Sequence, residues 1–305
     1  MVDLSIAFSG DKPLNDYIAL AKTVDEYGFN AFSIYDDLMF KPAWPILSLA
    51  ATHTQRVRIG PAISNPYLMH PATIAGNLAL LDELSDGRAF LGIGRGAFLD
   101  FLRMDQPRPI TAVREAIEVI KRLLRGDRTP YHGQIFHATE SAFLRWSPPR
   151  ADVPIMVGTW GPKMCEMSGE LADEVKVSPV WNVGYLSFLW KHLEKGARRA
   201  GRDPKDVVFV VGVLTSISDD REEAKAYARR ALAIYLPYLS PMTEIVGVEG
   251  EEMQRVRTAS VRGDYGAAAL ALSDTSLDNF TLYGTPKDII AKIERMAGEA
   301  PVSRI

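Results

Sequence analysis

The chain of 305 residues is poor in several things that would have named a function class at once. It has one cysteine, Cys165, so no internal disulfide can form. That residue sits on a helical pattern beside Met164 and Met167, which suits a buried structural thiol better than a nucleophile. There is no excess of one charge: 35 basic and 38 acidic residues leave a net charge of −3, with no basic run and no interleaving of basic and aromatic residues. Nucleic acid and anionic membrane are therefore poor partners. No apolar run approaches the ~18 residues of a membrane span, and the first residues lack the basic, apolar, small-residue layout of a secretory signal. A cytoplasmic protein is expected. The five histidines, His53, His70, His132, His137 and His192, have no metal-ligand spacing, so no metal is expected. Directly after the first strand there is no Gly-x-Gly-x-x-Gly; Leu91-Gly-Ile-Gly-Arg-Gly96 resembles one but comes at the fourth strand without the third glycine in place.

What the chain does contain is alternation. Short β-branched or aromatic runs lie at Leu4–Phe8, Ala31–Tyr35, Val57–Pro61, Ala89–Gly94, Ile155–Gly158, Glu174–Val177, Val207–Ile217 and Val302–Ile305, most of them followed by a loop and an amphipathic helix. This order predicts a parallel sheet. Eight strands in about this length fit an α/β fold of the (β/α)8 TIM barrel type, typically ~250 residues plus insertions, better than an open sheet. Apolar spacing over Leu14, Tyr17, Ile18, Ala21 and Val24, between Pro13 and Gly28, predicts an outer helix. Thr111 is expected to cap another, with Val113, Ile117, Ile120 and Leu124 inward and Gly126 at its end.

Two segments exceed a bare barrel. Residues 127–150, with Tyr131-His-Gly-Gln-Ile-Phe136 and Pro148-Pro149, read as an irregular hairpin over the barrel mouth, and 236–279 as an insertion with helical patches at Glu251–Arg257 and Tyr265–Leu272. A single domain over 1–305 is expected, with both insertions at the C-terminal face of the strands, where such barrels place their chemistry. The strand ends there offer Tyr35-Asp-Asp-Leu38, Ala62-Ile-Ser-Asn65, Gly94-Arg-Gly-Ala97, Gly158-Thr-Trp-Gly161 and Ser178-Pro-Val-Trp181. Trp160 and Trp181 suit either a substrate pocket or aromatic core filling.

Asn65-Pro-Tyr…His70-Pro-Ala-Thr-Ile-Ala75, Leu81-Asp-Glu-Leu-Ser-Asp-Gly-Arg88, Leu91-Gly-Ile-Gly94, Gly161-Pro-Lys-Met164 and Ala200-Gly-Arg-Asp-Pro204 together resemble the bacterial-luciferase-like superfamily. Within it they are most similar to deazaflavin-dependent oxidoreductases of the methylenetetrahydromethanopterin reductase type, and the likeness runs in order from Leu4 to Ile305. It implies coenzyme F420 at the barrel mouth, or FMN as in other branches, with a flavin-free NAD(P)H reductase as a further alternative. It also implies a small organic substrate, a homodimer, and a final helix after the Val302–Ile305 strand that the sequence does not include.

The resemblance places the ring against a bulge after strand three, Ala62-Ile63-Ser64-Asn65, with a non-prolyl cis peptide between Ala62 and Ile63. Gly158-Thr159-Trp160-Gly161-Pro162 opens a helix whose unpaired amides and positive dipole end suit the coenzyme phosphate, with Lys163 adding charge, although Gly-Pro is also an ordinary breaker. Gly94 and Gly96 serve either close approach to the ring or turn geometry, and Arg95 pairs with a coenzyme carboxylate or with Asp36. Asp36 is implied to contact the ring. Asp37 stands where relatives have histidine and is the candidate proton donor or acceptor, since neighbouring carboxylates in a partly dry pocket push their proton affinities apart. Pterin reductases of this type carry acids at positions that are Ala7 and Ala97 here, with Asp100 one turn on as the compensating acid.

Overall fold

The computed structural model describes residues 2–305, which divide into two compact bodies. The first comprises Asp3–Gly158 and Leu171–Val175. Its elements are β1 (Ser5–Phe8), α1 (Leu14–Glu26), β2 (Ala31–Ile34), α2 (Ala43–Ala51), β3 (Arg58–Pro61), α3 (Pro71–Leu84), β4 (Leu91–Gly94), α4 (Pro109–Leu124), a two-rung hairpin of β5 (Tyr131–His132) and β6 (His137–Ala138), and β7 (Ile155–Gly158). β1, β2 and β3 pair in parallel, with Ile6 opposite Phe32 and Phe32 opposite Ile59. Parallel bridges from Ile59 to Ala89 and from Ser64 to Ile93 carry the ladder to β4, which pairs with β7 in register Gly94 to Gly158. β2 and β4 are buried along their whole length and β3 and β7 at three of four residues, as apolar runs without alternation require, whereas β1 is half-buried. Phe32, Ile34, Leu47, Ile59, Leu78 and Leu91 are fully enclosed between sheet and helices.

The second body comprises Thr159–Glu170 and Lys176–Ile305, together with Val2. It holds nearly all of α5 (Pro162–Leu171), the end of β8 (Glu174–Val177), α6 (Val183–Arg199), β9 (Val208–Val211), β10 (Leu214–Ile217), α7 (Arg221–Tyr235), the insertion helices α8 (Met242–Val246), α9 (Glu251–Val261), α10 (Tyr265–Ala271) and α11 (Asp274–Phe280), then β11 (Thr281–Gly284) and α12 (Pro286–Glu299). The expected single strand Val207–Ile217 is in fact two. β9 continues toward the chain end, where the Arg304 carbonyl accepts from the Val211 N–H at 2.9 Å, whereas β10 pairs with β11, a strand the sequence reading did not identify. The predicted strand Val302–Ile305 is reduced to a single bridge between Arg304 and Val210.

Thr111 does not cap α4. Arg108, in the left-handed region with φ of 48°, precedes Pro109 at the first helical position, so Thr111 lies inside the helix, while Gly126 with φ of 66° follows its end as expected. Cys165 is buried, its thiol donating to the Leu189 carbonyl at 3.3 Å, and burial pushes its pKa up to about 12.

The 127–150 hairpin is held by α4. Glu115, 5% exposed, accepts three backbone N–H groups, from Gln134 at 2.7 Å, Ile135 at 2.9 Å and Phe136 at 3.0 Å. Burial alone would raise the proton affinity of this carboxyl, but the three donors outweigh it and hold the pKa below the ordinary glutamate range. A depressed native value stabilises the fold at any pH above the unfolded pKa of ~4.3, and that contribution fades as pH falls through the native value. Glu115→Ala strands three backbone donors, the buried Phe136 N–H among them, and is expected to cost about 1–3 kcal/mol. Amide exchange read at Gln134, Ile135 and Phe136 checks it; unchanged protection there contradicts the anchor.

Candidate active site

The carboxyl ends of β2, β3, β4 and β7 build the candidate site of the first body. β2 ends at Ile34, and the chain turns through Asp36 and Asp37, both half-buried, before Pro42 sets the start of α2. One Asp36 oxygen accepts from the Ala43 N–H at 3.3 Å. The other accepts from the hydroxyl of Ser64, which in turn accepts from the indole N–H of Trp44 at 3.1 Å. Ser64 is fully buried and Trp44 is 6% exposed.

After β3 the Ala62–Ile63 peptide is cis, at the position the resemblance implies. Around it the chain still pairs like a strand: the Ser64 N–H donates to the Gly92 carbonyl at 2.9 Å, and the Gly94 N–H to the Ser64 carbonyl at 3.0 Å. The Ile63 side chain lies on the two glycines that end β4 and β7. A Cβ on Gly94 would stand 2.2 Å from Ile63 Cδ1, and one on Gly158 would stand 2.9 Å from both Cδ1 and Cγ2. Both glycines therefore make room for Ile63, an explanation the sequence reading did not contain. Ile63, Ala7 and Tyr35 are partly exposed and pack on a buried cluster of Ala31, Ala62, Phe90 and Met156. The result is a small apolar floor.

Asn65, 4% exposed, caps the next turn by accepting from the N–H groups of Tyr67 at 3.2 Å and Leu68 at 3.0 Å. Its side chain fills the space beside Gly96, whose φ is 86°. Arg95 makes no salt bridge with Asp36. Its Nε donates to the Gln106 side chain at 2.7 Å, and the Gln106 amide donates back to the Arg95 carbonyl at 2.7 Å, closing the loop that carries Phe98 and Arg103 in left-handed conformations. Gln106 is not marked by any motif, so this pairing was illegible. Asp100 is exposed on a short 3-10 turn, Leu99–Leu102.

In the second body, Thr159 leads into α5, its hydroxyl accepting from the Gly161 N–H at 3.0 Å before Pro162 and the exposed Lys163 open the helix. Trp160 is tied at both ends: its indole donates to the Ser240 carbonyl at 3.1 Å and its own carbonyl accepts from the Tyr185 hydroxyl. Trp181 donates its backbone N–H to the Asn279 carbonyl at 2.6 Å. Among the described residues no group of three or more His, Cys, Asp or Glu is placed to hold a metal ion, and no helix is long and apolar enough to cross a membrane.

Residues 4–303 match the family model described as luciferase-like monooxygenase. The chain is 30% identical over 301 residues to the 5,10-methylenetetrahydromethanopterin reductase of Archaeoglobus fulgidus, covering 96% of this chain and 89% of that one. It is 29% identical over 253 residues to the F420-dependent glucose-6-phosphate dehydrogenase of Nakamurella multipartita, covering 78% and 73%. Among solved structures, the coenzyme F420 dependent tetrahydromethanopterin reductase of Methanopyrus kandleri matches with a TM-score of 0.91 at 28% identity, over 99% of this chain and 92% of that one. The fold class is that of the (β/α)8 barrel.

Proposed function

The chain belongs to the luciferase-like monooxygenase family, and from that premise we propose that it is a coenzyme F420-dependent oxidoreductase acting on a small organic substrate other than a methylenetetrahydropterin. The observation that carries the reading is the apolar floor of Ala7, Tyr35 and Ile63 together with the Asp36 carboxylate held in place by Ser64. An apolar surface beside an oriented carboxylate suits an aromatic ring with a polar edge. Bound F420 supplies the hydride chemistry, and the protein supplies binding, orientation and electrostatics.

Asp36 holds its charge at the ring, and Asp37 moves the substrate proton. Ala62, Ile63 and Ser64 form the ring's backing, with Asn65 and Gly96 fixing the adjoining wall. In the second body, taken by itself, the start of α5 after Thr159, Trp160 and Gly161, where the helix dipole and unpaired amides favour an anion, suits a phosphate group. Arg95, engaged with Gln106, and the exposed Asp100 are assigned to the shape of their loop rather than to the ring. A homodimer is part of the same reading.

The substrate follows from two alanines. Ala7 packs on the same cluster as Ile63, so an acid there would face the ring's surroundings, and the chain offers none; Ala97 leaves the second position equally mute. A site lacking the polar partner of a substrate group loses much of its discrimination for that group. A carbonyl, imine or alkene of small size remains. Titration of the purified protein with F420 and FMN, followed by turnover assays, is expected to give tighter binding of F420 and no robust F420-linked reduction of methylenetetrahydromethanopterin. Robust pterin turnover contradicts the substrate assignment; micromolar FMN binding without F420 binding contradicts the coenzyme.

A further inference from the structure

We propose that Ser64 and Trp44 are positioning residues that orient the Asp36 carboxylate toward the coenzyme; the inference rests on the assignment of Asp36 to the ring. The argument is one of hydrogen-bond direction. An indole N–H can only donate. The Trp44 N–H at 3.1 Å therefore makes the Ser64 oxygen an acceptor, and the single hydroxyl proton of Ser64 is delivered to Asp36 Oδ2. The Ala43 amide, also a donor only, engages Oδ1 at 3.3 Å.

Two donors thus bond the carboxylate directly, and a third, the Trp44 indole, acts on it through Ser64. Both Asp36 oxygens are acceptors, and the plane of the group is set from two sides: by the start of α2 through Ala43, and by the bulge after β3 through Ser64. Ser64 is also clamped by its own backbone, whose N–H and carbonyl both bond β4. Full burial of Ser64 and 6% exposure of Trp44 keep water from substituting for either link. A hydroxyl so placed has no partner choice. The consequence is a carboxylate aimed as a fixed negative charge, preorganised before the coenzyme arrives.

The test is a double-mutant cycle read on F420 affinity and on the absorption change of F420 on binding, with folding checked by thermal melts. Charge-assisted bonds are the strong ones, so Ser64→Ala is expected to weaken F420 binding about 10-fold and Trp44→Phe, which keeps an aromatic ring but deletes the donor, about 3-fold. In an Asp36→Ala background both effects are expected to shrink below about 2-fold, because residues acting through one group are not additive. Ser64→Thr, which keeps the hydroxyl, is expected to restore the absorption change. Additive losses in the Asp36→Ala background overturn the proposal while leaving Asp36 at the ring. Unchanged F420 affinity of Asp36→Ala alone overturns the ring assignment and the proposal with it. If Ser64→Ala does not fold, the Trp44→Phe cycle decides the matter by the same criteria.

Discussion

Replacing Asp37 by asparagine is expected to lower F420-linked turnover about 10²–10⁴-fold, the usual worth of general acid–base help, while coenzyme affinity stays within about twofold. The two neighbouring acids are not equivalent. Asp36 has both oxygens accepting from donors of the protein itself, which fixes the orientation of its carboxylate. Asp37 is one residue further along the same half-buried turn, and its backbone carbonyl accepts from the Phe40 N–H at 3.4 Å. Single-turnover oxidation of reduced F420 by a verified substrate, alongside an equilibrium titration, separates the two quantities. Equal rates for the variant and the parent remove Asp37 from the chemistry; equal losses in rate and in affinity move it to the coenzyme.

Binding, rather than turnover, is expected to suffer from a single methyl group at Gly158. The atoms nearest an added Cβ all belong to Ile63, at 2.9, 2.9 and 3.5 Å. Two of the three atoms branch from the stiff Cβ, so Ile63 must shift bodily rather than swing its tip. Overpacking of this kind costs about 1–3 kcal/mol, and the shift lands on the apolar floor, so Gly158→Ala is expected to lower both melting temperature and F420 affinity. Adding Ile63→Ala removes every clashing atom and is expected to recover the melting temperature. The same rescue must fail at Gly94→Ala, because there the Gly158 carbonyl, 2.7 Å from the added carbon, is a second obstacle that no side-chain change removes. Recovery at both positions, or at neither, contradicts the packing described.

The alternation of apolar runs with helical stripes placed β1, β2, β3, β4 and β7 of the first body correctly, because parallel strands and one-sided helices obey short-range patterns that a single sequence displays. β11 escaped notice for the complementary reason: Thr281-Leu-Tyr-Gly284 follows the helical patch around Leu277 without a turn signal between them, and only its partner β10 makes it a strand. Thr111 misled because a hydroxyl near a helix start is a usual cap, whereas the backbone here starts the helix two residues earlier, at Pro109. The bulge and its cis peptide were legible through resemblance alone. Asp36, Ser64 and Gly94 were legible as strand ends, but the reason for each was not: Trp44, the residue that orders the Asp36 contacts, carries no motif, and Ile63, which explains two glycines, looks like any aliphatic residue. Partners far apart in sequence decide these roles.

The mutual grip of Arg95 and Gln106 has an evolutionary reading. Between them lie the stacked rings of Phe98 and Phe101 at 5.3 Å, the buried Leu99 and Gly96 beside Asn65. Changes at the exposed positions Asp100 to Arg103 leave the attachment to β4 intact, whereas Gly96 and Leu99 are held by their neighbours. The outer part of the segment is thereby an exchangeable cassette: transplanting residues 100–105 between relatives carries a local surface from one barrel to another, provided the arginine and glutamine at its hinges travel with it.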